Sequence, residues 1–94
     1  GEDQLAFDAC VKVNDIDPFD ERGYRCAAAY RLRQNRNREA MEIYHSAVAR
    51  LPNSSGLWYD LASVYEKLER YKEAGNAYER AIRLLKLAPP ANVP

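Results

Sequence analysis

Apolar residues recur along the chain at steps of three and four and not by alternation, so the elements expected are amphipathic helices. The clearest stretch holds Leu57, Trp58, Leu61, Ala62, Val64, Tyr65 and Leu68. The next, Tyr71, Ala74, Ala77, Tyr78, Ala81, Ile82 and Leu85, begins after only Glu69 and Arg70, a link that allows a tight antiparallel hairpin and little else. Asp17 before Pro18 reads as a helix start, because a carboxylate accepts from free amides while proline tolerates the first turn. Asn53, Ser54 and Ser55 supply the equivalent cap after Pro52. The pattern predicts five helices, over residues 3–14, 18–33, 37–50, 55–69 and 71–87, and then a Pro-rich tail over 89–94.

The same pattern repeats on a longer scale, with a period of about 34 residues. Ala6, Ala40 and Ala74 are evenly spaced at that interval, as are Cys10, Tyr44 and Tyr78, and Val13, Ala47 and Ala81. In that frame Tyr24 matches Trp58, Ala28 matches Ala62, and Pro18 matches Pro52. One domain over 1–88 is therefore expected, made of the second half of a repeat (1–20) and two full repeats (21–54 and 55–88). Small residues at Ala28, Ala40, Ala62 and Ala74 let helices approach, and aromatic residues fill the space between them. One hairpin cannot bury such a face alone, so neighbouring repeats must stack and share an elongated core.

Composition narrows the function classes. The 94 residues carry 14 Lys and Arg against 14 Asp and Glu, which leaves no global field to draw the chain onto nucleic acid or an anionic membrane. No apolar run approaches the roughly 20 residues of a membrane span, and the acidic start at Gly1, Glu2 and Asp3 is unlike a signal peptide. The chain opens without Met, which suggests an excised segment whose native targeting signal is missing. Cys10 and Cys26 are too few for a secreted disulfide framework and too far apart for a zinc motif, so free thiols in an intracellular, cytoplasmic setting are the expectation. Cys10 takes a core position and Cys26 one that meets solvent or ligand. The single histidine, His45, follows core Tyr44 and is expected on the surface. With no Gly-rich phosphate loop, nucleophile elbow or paired His-Glu helix motif, no enzyme, metal or cofactor is expected.

The run Trp58, Leu61, Ala62, Tyr65, Ala74 and Tyr78 resembles the tetratricopeptide repeat, whose pattern is W-x2-L-G-x2-Y followed by A-x3-F and a closing Pro. Ala62 replaces the Gly, Tyr78 the Phe, and Lys86 stands where the Pro is expected. The first full repeat is looser: it keeps Tyr24, Ala28, Ala40, Tyr44, Ala47 and Pro52 but has Ala27 for the Leu and Arg31 for the Tyr, with Tyr30 as a compensating neighbour if the helix shifts locally. The half-a-tetratricopeptide repeat of RNA-processing scaffolds is a neighbouring pattern, but Leu61 and Val64 fill its aromatic positions less well.

The resemblance implies an all-α, right-handed α-solenoid whose first helices line a concave groove for an extended or helical peptide of a partner protein. It places Arg22, Arg25, Cys26, Ala29 and Arg33 on the groove wall of the first full repeat, and Tyr59, Asp60, Ser63, Glu66 and Lys67 on that of the second. Residues 1–18 sum to −4, from five acids and Lys12, whereas residues 19–38 sum to +4, from six arginines against Asp20 and Glu21. The arginines suit an acidic or phosphorylated peptide; the plainer reading pairs Arg31, Arg36 and Arg38 with the acidic first helix. RNA is not expected, because the aromatic residues that would stack on bases are committed to the core. Some family members hold a chaperone's terminal carboxylate with Lys and Asn; here Arg25, Ala29 and Asp60 take those places, so no heat-shock chaperone tail is expected. The alternative functions are a structural segment whose exposed ends mediate self-association or assembly of a larger complex, and an RNA-processing scaffold of the half-a-tetratricopeptide type.

Overall fold

The three- and four-residue periodicity is realised as five helices in a computed structural model that describes residues 1–87. They are α1 (Glu2–Ile16), α2 (Glu21–Arg33), α3 (Asn37–Arg50), α4 (Ser55–Lys67) and α5 (Tyr71–Leu87), each packed on the next in chain order. The described residues contain no strand. The expected Pro-rich tail at 89–94 lies outside the described residues.

Four helix boundaries differ from expectation: α1 runs one residue further at its start and two further at its end than the expected 3–14, α2 starts later and α4 ends earlier. α2 begins at Glu21, three residues past the expected start at 18, because Asp20 rather than Asp17 accepts the Arg22 amide, at 2.9 Å. Asp17 instead accepts from the Phe19 amide at 3.0 Å and closes the preceding turn. α4 ends at Lys67 because Glu69 adopts a left-handed conformation, φ 61°, that no helix interior allows. Its repeat equivalent, Asn35, does the same at φ 60°. In both hairpins the following amide reaches back to close the helix end, Arg36 to the Arg31 carbonyl at 2.8 Å and Arg70 to the Tyr65 carbonyl at 2.9 Å. Asn adopts this backbone at less cost than Glu. Glu69→Gly is therefore expected to stabilise the fold by roughly 0.5 to 1 kcal/mol, read as a higher urea midpoint, whereas Asn35→Gly should change it little.

The repeat frame explains why an aromatic residue with a polar edge follows each proline. The Tyr24 hydroxyl donates to the Pro18 carbonyl at 2.7 Å, and the Trp58 indole N–H donates to the Pro52 carbonyl at 2.8 Å. Each bond ties the entry turn to the first helix of its repeat. The core runs through α2 to α5, with Ala28, Ala40, Ala47, Leu57 and Ala62 fully buried and Tyr24, Tyr44, Leu61, Val64 and Tyr65 around them.

Arg31 takes the place of the family tyrosine without any shift of the helix. Its guanidinium lies 3.9 Å from the Phe7 ring centroid and 3.2 Å from Glu39, while Tyr30 turns aside under Arg33. A planar cation on an aromatic face fills a ring's space and still reaches a carboxylate. The expected compensation by Tyr30 does not occur.

α1 is held differently from the rest. Its one fully buried residue is Cys10, while Leu5 and Ile16 are exposed. Asn14 crosses to the Asp20 carbonyl at 2.8 Å and packs so closely on Gly23 that any side chain there would displace it. The main tie is covalent. Cys10 and Cys26 form a disulfide with Cα atoms 5.7 Å apart, in place of the expected free thiols. The cysteine count therefore no longer argues for a reducing compartment, since structural disulfides persist in oxidising ones.

Candidate functional site

Arg25 bridges α2 to α4: its Nε donates to Asp60 Oδ2 at 2.9 Å while its Nη1 reaches Glu21 at 3.2 Å. Helical periodicity puts Arg22, Ala29 and Arg33 on the same side of α2 as Arg25, and Ser63, Glu66 and Lys67 on the same side of α4 as Tyr59 and Asp60. Cys26 shares that side of α2 but points its sulfur at α1, so the disulfide removes it from the open face. Glu66 accepts from the Tyr78 hydroxyl of α5. Tyr59 is 58% exposed and meets Tyr78 edge-on, with ring centroids 5.4 Å apart.

Charge on this face is unevenly satisfied. Arg22 is bonded to Asp20 at 2.8 Å, and Arg25 to Glu21 and Asp60. The Asp20 pairing holds that carboxyl below its ordinary range through hydrogen bonds from Arg22. Arg31 and Arg36 both reach Glu39, at 3.2 and 3.7 Å, so the expected pairing to the acidic first helix is replaced by a local one across the α2–α3 turn. Sequence distance explains the difference: Glu39 is carried on the same hairpin, and α1 shows Phe7, not an acid, to Arg31. Arg33 and Lys67, which stand one repeat apart, have no acidic partner among the described residues.

The two repeats are joined by equivalent contacts of different chemistry. Cys10 and Cys26 at the α1–α2 junction correspond, one repeat later, to Tyr44 and Asp60 at the α3–α4 junction. Tyr44 is buried there beside the Arg25–Asp60 pair, and burial first, then the Asp60 carboxylate, push its hydroxyl up to about 12. Because the fold favours the neutral phenol, this stabilisation is complete below pH 10 and is lost as pH rises towards 12. Its size is about 3 kcal/mol. Thermal melts between those pH values should therefore show a steeper loss for the native chain than for Tyr44→Phe, which has no proton to lose.

The other candidates carry less chemistry. His45 is exposed as expected, and its Nε2 shares a hydrogen bond with the Tyr65 hydroxyl. Among the described residues no group of His, Cys, Asp and Glu gathers in a way that would hold a metal ion, and no helix is long and apolar enough to cross a membrane. An apolar groove of about 390 Å³ opens beside the α2/α4 face, lined by Tyr59, Tyr78, Ala81, Ile82 and Leu85. Arg25, which also lines it, and Tyr59 were among the expected site residues, whereas the α5 residues were not, although their exposed helical stripe was the signal.

Comparison with known proteins agrees with the helical pairing. A family model described as tetratricopeptide repeat matches residues 31–93. Solved structures of MamA share the fold: MamA from MSR-1 superposes with a TM-score of 0.77 at 22% identity, over 90% of this chain and 49% of that one. MamA from AMB-1 gives 0.77 at 24% identity, over 99% of this chain and 52% of that one. The chain thus spans about half the length of the solved structures it matches. No curated protein sequence matches it.

Proposed function

The chain belongs to the tetratricopeptide repeat family, and from that premise we propose that it is a non-catalytic scaffold that holds a partner peptide or helix along the α2/α4 face. Tyr59 is the apolar anchor, Ala29 and Ser63 leave room for the partner's backbone, and Arg33 and Lys67 take its negative charges. Arg22 adds a third, more shielded cation, while Arg25 and Asp60 set the spacing of the two helices and cancel each other. The observation that carries this reading is the repetition of an unpaired cation at the same place in both repeats, on the face that also exposes Tyr59. An acidic or phosphorylated peptide with negative groups one repeat apart fits that row, since charge-assisted contacts at both ends fix register as well as orientation.

Selection of peptides from a random displayed library, followed by calorimetry, tests it. Arg33→Glu with Lys67→Glu should weaken the selected peptides about tenfold or more. Arg38→Glu, an equally exposed cation on α3, should leave them unchanged. Equal losses from both changes would mean that general attraction, not this face, drives binding.

A further inference from the structure

The first full repeat has Ala27 where the second has Leu61, and the smaller residue leaves a space in the fold. Leu61 is 1% exposed within the shared core. Ala27 is buried too, yet it ends in a methyl group, and it lines an apolar cavity of about 220 Å³ together with Phe7 and Val11 of α1, Tyr24 of α2 and Ile43 of α3. Three helices of the chain wall this cavity, and neither Leu5, Ala9 and Ile16 on the far side of α1 nor any residue of α5 takes part.

Its rim is acidic. Asp15 lines the cavity, which continues past Phe7, Ile43 and Ser46 to Arg31, Glu39 and Glu42. Arg31 and Glu39 hold each other at 3.2 Å, whereas Asp15 and Glu42 are exposed and form no ion pair among the described residues. The second repeat has the neutral Ala49 and Asn76 at those two positions, and Arg80 where the first has Ser46. The Arg80 guanidinium lies 5.5 Å from the ring centroid of Trp58, the match of Tyr24, and the hollow that remains there is lined by α4 and α5 alone. One repeat thus supplies a leucine and a cation from its own chain. The other supplies neither and adds two acids.

We propose that the cavity over Ala27 is a second docking site, which receives one leucine or methionine side chain of a partner protein whose neighbouring residues are lysine or arginine. The apolar side chain takes the space that Leu61 occupies in the next repeat, and the basic neighbours meet Asp15 and Glu42. A volume of about 220 Å³ suits a single side chain and lies below the roughly 300 Å³ at which small-molecule pockets begin. An anchor in a pocket gives affinity, and the surrounding charges select the partner. Helical periodicity puts Tyr24, Ala27 and Arg31 on the side of α2 opposite Arg22, Arg25, Ala29 and Arg33, so this site does not compete with the α2/α4 face. It also asks for the opposite charge.

Peptides selected on the native chain from a random displayed library, then sorted by calorimetry on variants, test this. One class should weaken about tenfold or more with Ala27→Leu, which fills the cavity from within, and should be unchanged by Arg33→Glu with Lys67→Glu. That class should share a large apolar residue flanked by Lys or Arg. Asp15→Asn with Glu42→Gln, at exposed positions, should weaken it about three- to tenfold and flatten its salt dependence. Ala27→Leu should keep or raise the urea midpoint; should it unfold the chain instead, Ser46→Arg, at an exposed position, replaces it and should weaken the same peptides. No class sensitive to the cavity variant, a sensitive class without the apolar residue or its basic flanks, or indifference to the loss of Asp15 and Glu42 overturns the proposal.

Discussion

Replacing Leu61 by Ala is expected to cost about 2 to 5 kcal/mol. Leu61 is 1% exposed at the centre of the α2–α5 core, where α4 touches both hairpins, so truncation leaves a cavity that neither can close alone. A stacked array has no second core to fall back on, and single domains are stable by only about 5 to 15 kcal/mol in total. Chemical denaturation should show the loss as a lower midpoint with one cooperative transition. An effect below about 1 kcal/mol would mean that the repeats fold without sharing a core.

Reducing the Cys10–Cys26 disulfide, or replacing both residues by Ser, has the second large effect, about 3 kcal/mol for a loop of this size. The loss should be local. The core cluster contains no residue of α1, and an isolated helix of that length is marginal in water. Hydrogen exchange should therefore quicken across Glu2–Ile16 while the amides of α4 keep their protection. If α1 stays protected after reduction, Phe7 under Arg31 and Asn14 against Gly23 are sufficient to hold it.

The fold was largely legible because two periods, that of the α-helix and that of the repeat, act on the same residues. Ala28, Ala40, Ala62 and Ala74, assigned from the longer period as helix-contact positions, are all buried. Boundaries were less so: Asp17 and Asp20 offer the same carboxylate three residues apart, and only the engagement of Asp17 by Phe19 leaves the capping to Asp20. Ion pairs depended on reach in space, which placed Arg31 and Arg36 on Glu39 rather than on the acidic first helix, and joined Arg25 of the groove wall to Asp60 of the next repeat.

The cysteines are the instructive case. Their number alone argued for free thiols, but shifted by one repeat they fall on Tyr44 and Asp60, residues that meet between α3 and α4. The repeat frame thus contained the pairing. Of the proposed face, Tyr59, Arg33 and Lys67 followed from the family resemblance projected onto the helices, while the loss of Cys26 and the neutralisation of Arg25 depend on neighbours that no local pattern encodes.

The central claim is that a partner lies along the first helices of successive repeats. Amide and side-chain NMR shifts of the labelled chain, followed as a library-selected peptide is added, test it most directly. The account predicts perturbations concentrated at Ala29, Arg33, Tyr59, Ser63 and Lys67, in both repeats at one affinity. Perturbations confined to α3, or to the Tyr71–Leu87 helix without α2 and α4, would contradict it.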